Sequence, residues 1–231
     1  KSLMKKNILV IAAHPDDEVF GCGGTLIKHK KNKDNINICF VGEGTTGRFD
    51  NSKDPLVKKH LVLRTKSAKK TAKYLNCKEL LFLDYPNMRF HMCEKITLVK
   101  KLINIINKVK PDVIYTHCKT DLNSDHGIVH ECVLTAIRPC KIFKPSEVYL
   151  FEIPSSTDWS LNEFGCFNPR MFVDIEKFKK EKIKLLKNYR SELRKFPFPL
   201  SIKFMDHYNS ICGSAAGLKY AERFEVLRLI K

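Results

Sequence analysis

Apolar, β-rich runs alternate with longer amphipathic stretches up to Ile153, and that alternation limits the available folds more than any other feature of the chain. Asn7 to Ala13, Ile36 to Val41, Glu79 to Leu83, Val113 to Thr116 and Val148 to Ile153 read as strands. The stretches between them, Val19 to Lys31, Pro55 to Leu75, Glu94 to Lys108 and Ser124 to Ile137, read as helices. Strand and helix in alternation predict an α/β fold, a mostly parallel sheet covered by helices on both faces. After Ile153 the pattern loosens into a loop through Pro169, a strand Met171 to Ile175, a helix Glu176 to Leu193 and a last strand Phe224 to Leu229. No repeat or low-complexity linker interrupts the chain, so residues 1–231 are expected to form a single domain. In an open sheet of this kind ligands bind beyond the carboxyl ends of the strands, which puts the chemistry just after Ala13, Val41, Leu83, Thr116 and Ile153.

Composition narrows the function classes. No apolar run approaches the roughly 18 residues a membrane helix needs, and Ile8 to Ala13 is too short for a signal-peptide core, so a soluble, cytoplasmic protein is expected. The nine cysteines include no C-x-x-C pair, which fits reduced thiols. A net charge of +17 raises the possibility of a basic nucleic-acid-binding module. The lysines, however, are spread over nearly every predicted helix, which fits solvated faces, and no nucleic-acid partner is expected.

Two clusters carry the chemistry. His14-Pro15-Asp16-Asp17-Glu18 follows the first strand, and its adjacent aspartates have no Lys or Arg beside them in sequence. A divalent cation is one natural occupant, and nitrogen plus oxygen ligation suits zinc. An acidic turn capping the next helix is the other reading, though it gives His14 no task. The second cluster, His117, Asp121, Asn123, Asp125, His126 and His130, follows the fourth predicted strand. His126 and His130 are four residues apart and share a helical face, as metal-binding histidines often do; a capped helix with two partly exposed histidines would look the same.

The two clusters together, His14-Pro15-Asp16-Asp17-Glu18 and Asp121-Leu122-Asn123-Ser124-Asp125-His126, closely resemble the PIG-L/LmbE-like zinc de-N-acetylases. Phe151 to Trp159 and Ala221 to Phe224 also look like segments of a bacterial branch. The resemblance implies a Rossmann-like domain and a zinc hydrolase that removes acetyl from an N-acetylated sugar, free, nucleotide-linked or glycosidic. By position it implies His14, Asp17 and His126 as zinc ligands and Asp16 as general base, and it leaves His130 outside the ligand set. Where many relatives have a histidine this chain has Asn123, an amide that can donate to an oxyanion but cannot deliver a proton. The proton for the leaving amine then comes from Asp16 or from a neighbouring imidazole, His117 or His130. Asp125 fits a carboxylate supporting a ligand histidine, or a first-turn residue serving the helix dipole. Arg48 stands where it could meet an anionic substrate, and Trp159 could stack on a sugar or anchor its loop. A metal-dependent amidase acting on a non-sugar substrate would use the same residues.

Overall fold

The computed structural model describes residues 5–51, 53–139 and 143–231. The strands β1 (Asn7–Ala12), β2 (Asn35–Gly42), β3 (Glu79–Tyr85), β4 (Val113–His117), β5 (Glu147–Phe151), β6 (Met171–Asp174) and β7 (Ala221–Leu229) form one sheet in the order β3-β2-β1-β4-β5-β7-β6. The five strands from β3 to β5 run parallel, as expected from the alternation. The last two depart from it: β7 pairs antiparallel with both β5 and β6.

Each helix face is fixed by the period-two pattern of the strands. Ile8, Val10 and Ala12 of β1 pack on one side with α1 (Asp17–Lys31) and α2 (Pro55–Leu75). Leu9, Ile11 and Ala13 point to the other side, toward α3 (Lys95–Val109) and α4 (Ser124–Ala136). A central strand covered on both faces must be apolar throughout, which is why β1 reads as a continuous run.

The chain after β5 was only partly legible. A short α5 (Pro154–Thr157) follows β5 directly, and the expected helix from Glu176 to Leu193 is broken into a 3-10 turn, α6 (Lys179–Leu186) and a second 3-10 turn. The helix α7 (Ile202–Ser214) had no counterpart in the sequence reading. Only Met205, Asn209, Cys212 and Gly213 of it are buried, too mixed a set to stand out as an apolar stripe, although Ser201 caps it by accepting from the Phe204 N–H. The eight cysteines among the described residues are free thiols, and Cys140 lies outside those residues.

The glycines after the first cluster serve packing. A Cβ on Gly21 would stand 2.4 Å from the Phe151 ring, with α1 pressed onto the sheet at that point. Gly21→Ala is therefore expected to destabilise the fold by about 1–3 kcal/mol through overpacking, measured by urea denaturation. At Cys22 the helix kinks, and the N–H groups of Gly24 and Thr25 beyond the kink donate to the Glu222 carboxylate at 2.7 Å each. Lys182, itself buried, neutralises Glu222 at 2.7 Å.

Candidate active site

With the order β3-β2-β1-β4-β5, successive connections leave β1 in opposite directions, and the crevice between β1 and β4 is the topological switch point. The first cluster follows β1 and the second follows β4, so the two meet there. A cleft of about 240 Å³ opens at that edge, lined by His14, Asp16, Asp17, Asn123 and His126 together with Arg48 and Arg64.

The turn after β1 separates the two adjacent aspartates. Asp16 has φ 133°, a backbone conformation that costs a non-glycine residue on the order of 1–3 kcal/mol. Its surroundings hold it there. Its N–H donates to Glu18 Oε2 at 2.9 Å, and its carbonyl accepts from the Val19 N–H at 2.9 Å. Glu18 is in turn fixed by the Tyr189 hydroxyl, which donates to Oε1 at 2.5 Å, and burial pushes its carboxyl up to about 8.

Arg64 corrects the sequence-based picture of aspartates without a cationic neighbour. From α2 its Nε donates to the Pro15 carbonyl at 2.8 Å and its Nη2 to Asp16 Oδ1 at 2.7 Å, while Nη1 donates to the Gly44 carbonyl and lies 3.1 Å from Glu192 Oε2. Gly44, with φ +73°, is required there because a Cβ would meet the guanidinium carbon at 2.7 Å. Neither Arg64 nor Glu192 was singled out from the sequence. The signal for Arg64 was its register: it falls on the buried stripe of α2 with Val57, Ala68, Thr71, Ala72 and Leu75, where a charged side chain needs a partner. Burial raises the Asp16 carboxyl to about 6, with Arg64 opposing the rise.

Asp17 turns the other way, into three imidazoles. Its Oδ2 lies 3.6 Å from His14 Nδ1, 3.5 Å from His126 Nε2 and 3.4 Å from His117 Nε2, and accepts the His14 N–H at 2.8 Å. Burial alone would raise Asp17, but His126 and His117 outweigh it and hold the carboxyl well below the usual range. Burial would likewise lower His126, yet Asp121 and Asp17 push it up to about 9. The site therefore favours positive charge at its centre even without an ion.

The donor set fits a metal. One ligand atom each from His14, Asp17 and His126 lies within 4.8 Å of the others, all three residues buried. His126 Nε2 is buried without a hydrogen-bond partner, an expense that a ligand removes. The far nitrogen of each histidine meets a carboxylate: His14 Nε2 is 3.1 Å from Asp125 Oδ2, and His126 Nδ1 is 2.9 Å from Asp121 Oδ2. That leaves His14 Nδ1 and His126 Nε2, both beside Asp17, as the nitrogens that would face an ion. Asp125 also accepts the Met88 N–H at 2.6 Å, tying the loop after β3 to the cleft.

The remaining predicted residues divide by position. Asn123 caps α4, its Oδ1 accepting the Asp125 N–H at 3.0 Å, and borders the cleft with its amide NH₂ still available. Arg48 borders the cleft too, half exposed and paired with Glu192 at 2.6 Å. His117 and His130 do not line it. His117 Nε2 accepts the Ala13 N–H at 2.9 Å, and burial together with His126 lowers its ring to about 4. His130 Nδ1 is 2.9 Å from the His117 carbonyl. His117, Asp121 and His126 form a second possible metal group, but its first two members lie away from the cleft.

The chain is similar in sequence and in fold to proteins named as deacetylases. The uncharacterized deacetylase YaiS of Escherichia coli (strain K12) is 26% identical over 193 residues, covering 81% of this chain and 92% of that protein. The N,N'-diacetylchitobiose deacetylase of Pyrococcus horikoshii superposes with a TM-score of 0.76 at 20% identity, covering 97% of this chain and 84% of the other. GalB, the 4-carboxy-2-hydroxymuconate hydratase of Pseudomonas putida KT2440, superposes with a TM-score of 0.77 at 19% identity over 98% of both chains, so the fold by itself does not fix a reaction. The family model described as PIG-L, GlcNAc-PI de-N-acetylase, matches residues 9–137, which span both clusters, and the chain belongs to the PIG-L family.

Proposed function

We propose that this protein is a zinc-dependent hydrolase that removes the acetyl group from the nitrogen of an N-acetylated amino sugar, releasing acetate and a free amine. The observation that carries the reading is the meeting of His14, Asp17 and His126 in one cleft with Asp16 and Asn123 beside them. His14, Asp17 and His126 would hold the ion, which when bound acidifies water and polarises the amide carbonyl. Three protein donors suit a catalytic rather than a structural zinc.

The chain's own residues supply the rest. Asp16, held by Arg64 through one oxygen, takes the proton from the attacking water with the other, and a carboxyl raised to about 6 suits a base working near neutral pH. The Asn123 amide donates to the tetrahedral oxyanion, its orientation fixed by the Asp125 N–H. Because His117 and His130 stand off the cleft, Asp16 also returns the proton to the leaving amine. Asp125 orients His14.

The test is acetate release from a panel of N-acetylated sugars, free and nucleotide-linked, before and after chelation. Release that stops on chelation and returns with zinc supports the reading; no release from any sugar by zinc-loaded protein, or release indifferent to chelation, refutes it. Asn123→Ala is expected to lower kcat by about 10- to 1,000-fold with zinc content unchanged. An unaltered kcat would make Asn123 a helix cap alone.

A further inference from the structure

Two loops, one after β2 and one after β3, wall part of the cleft. Gly44, Gly47 and Arg48 come from the first, Asn87 and Met88 from the second. A single carboxylate ties the loops together, that of Glu43, which was not singled out from the sequence. From its own loop Glu43 accepts the Thr45 N–H at 2.7 Å, the Thr46 N–H at 3.1 Å from either oxygen, and the Thr46 hydroxyl. From the other loop it accepts the Asn87 N–H at 2.7 Å. A carboxylate has room for about four donors, and these donors of the protein occupy Glu43, so it is suited to positioning other groups rather than to meeting a substrate.

What Glu43 positions is the backbone at Asn87, which is held from both sides. Asp125 Oδ2, which also meets His14 Nε2 at 3.1 Å, takes the next N–H along, that of Met88, at 2.6 Å. Met88 has φ 59°, uncommon for a residue with a side chain, and the two carboxylates fix the chain on either side of it. The loops also touch at Gly47, where a Cβ would stand 2.8 Å from both the Asn87 carbonyl oxygen and Asn87 Nδ2. Asn87 is thereby set at a fixed place relative to His14. Its own side chain is not used in this framework. Asn87 is 6% exposed and lines the cleft, yet its amide side chain makes no hydrogen bond among the described residues. Such an amide offers a donor and an acceptor side by side, the complement of a hydroxyl group. On the deacetylase reading just given, we propose that the Asn87 amide binds a ring hydroxyl of the N-acetylated sugar and that Glu43 is the residue that positions it. Hydrolysis of the amide leaves a ring hydroxyl unchanged, so contact with it is equal in ground and transition state and acts on KM rather than kcat.

The probes are the methyl β-glycoside of N-acetylglucosamine and its 3-deoxy, 4-deoxy and 6-deoxy forms. Zinc-loaded protein is assayed for acetate release, and zinc-loaded Asp16→Asn, slow in turnover, for binding by calorimetry. Asn87→Ala is expected to raise KM for the parent glycoside, and Kd in the Asp16→Asn background, by about 3- to 10-fold with kcat within about twofold, as loss of one neutral hydrogen bond predicts. One deoxy sugar should show the same loss with Asn87 in place and no further loss in Asn87→Ala. Glu43→Gln keeps the shape but turns an amide nitrogen toward N–H groups, and it should raise KM by a similar factor. Because Glu43 acts through Asn87, the double variant Glu43→Gln/Asn87→Ala should bind no more weakly than Asn87→Ala alone. Losses that multiply in the double variant would make Glu43 a structural residue and overturn its assignment. An unmoved KM in Asn87→Ala, or an equal loss for all four glycosides, would overturn the hydroxyl contact; acetate release would in each case leave the deacetylase reading intact. Binding that follows the expected pattern without acetate release would sustain Asn87 and Glu43 and refute that reading. Neither binding nor release with any of the four would overturn both together.

Discussion

Asp16→Asn is expected to lower kcat by about 10² to 10⁴-fold while zinc stoichiometry, measured by elemental analysis of the purified protein, stays near that of the unaltered chain. The substitution keeps the side chain's shape and an oxygen for Arg64, leaves His14, Asp17 and His126 in place, and removes only the proton acceptor. Asp17→Ala should behave differently. It takes away the carboxylate shared by the imidazoles, so zinc and activity are lost together. The pH profile adds a sign: on the proposed mechanism Asp16 acts as base only when ionised, so activity should fall on acidification as the carboxyl takes up a proton, at a pH at or below about 6 because a bound cation would favour the ionised form. That acid limb should disappear in the residual activity of Asp16→Asn. Loss of zinc in Asp16→Asn with retention in Asp17→Ala would exchange the two roles.

Arg64→Met is expected to destabilise the protein by about 3–5 kcal/mol, read as a fall in the urea midpoint. Arg64 is 3% exposed and stands between two buried carboxylates, Asp16 and Glu192, and its removal strands Asp16, leaves Glu192 with Arg48 as its remaining cationic partner, and frees the Pro15 and Gly44 carbonyls. Arg64→Lys should recover only part of the loss, since an ammonium cannot reproduce a planar fork that meets four acceptors. Stability equal to that of the unaltered protein in Arg64→Met would mean that Asp16 needs no cationic partner to stay buried. Arg64 also helps to hold the φ of 133° at Asp16, so the same variant should lose activity beyond what its folded fraction accounts for.

The chain as far as β5 was readable because its signals are local. A parallel sheet buried on both faces demands continuous apolar strands, helices that cover it demand an amphipathic period, and both patterns lie within a few neighbouring residues. After β5 the elements are short and only partly covered. The antiparallel return of β7 and the helix α7 depend on what they pack against, which no local window records.

The residues of the candidate site divide along the same line. Sequence by itself determined which chemistry was possible: His14, Asp16, Asp17, Asn123, Asp125 and His126 fall just after β1 and β4, and the rule that ligands bind at the carboxyl edge brings them together. Only the tertiary structure decided which side chain faces which. Adjacent in sequence and alike in composition, Asp16 and Asp17 are sent to Arg64 and to three imidazoles by one strained turn, and burial then raises one carboxyl while the histidines lower the other. It likewise left His117 and His130 off the cleft and brought in Arg64 and Glu192 from α2 and from the turn after Tyr189. The physical reason is that a charge buried in a low dielectric is governed by the few groups within several ångströms of it, and most of those groups are distant along the chain.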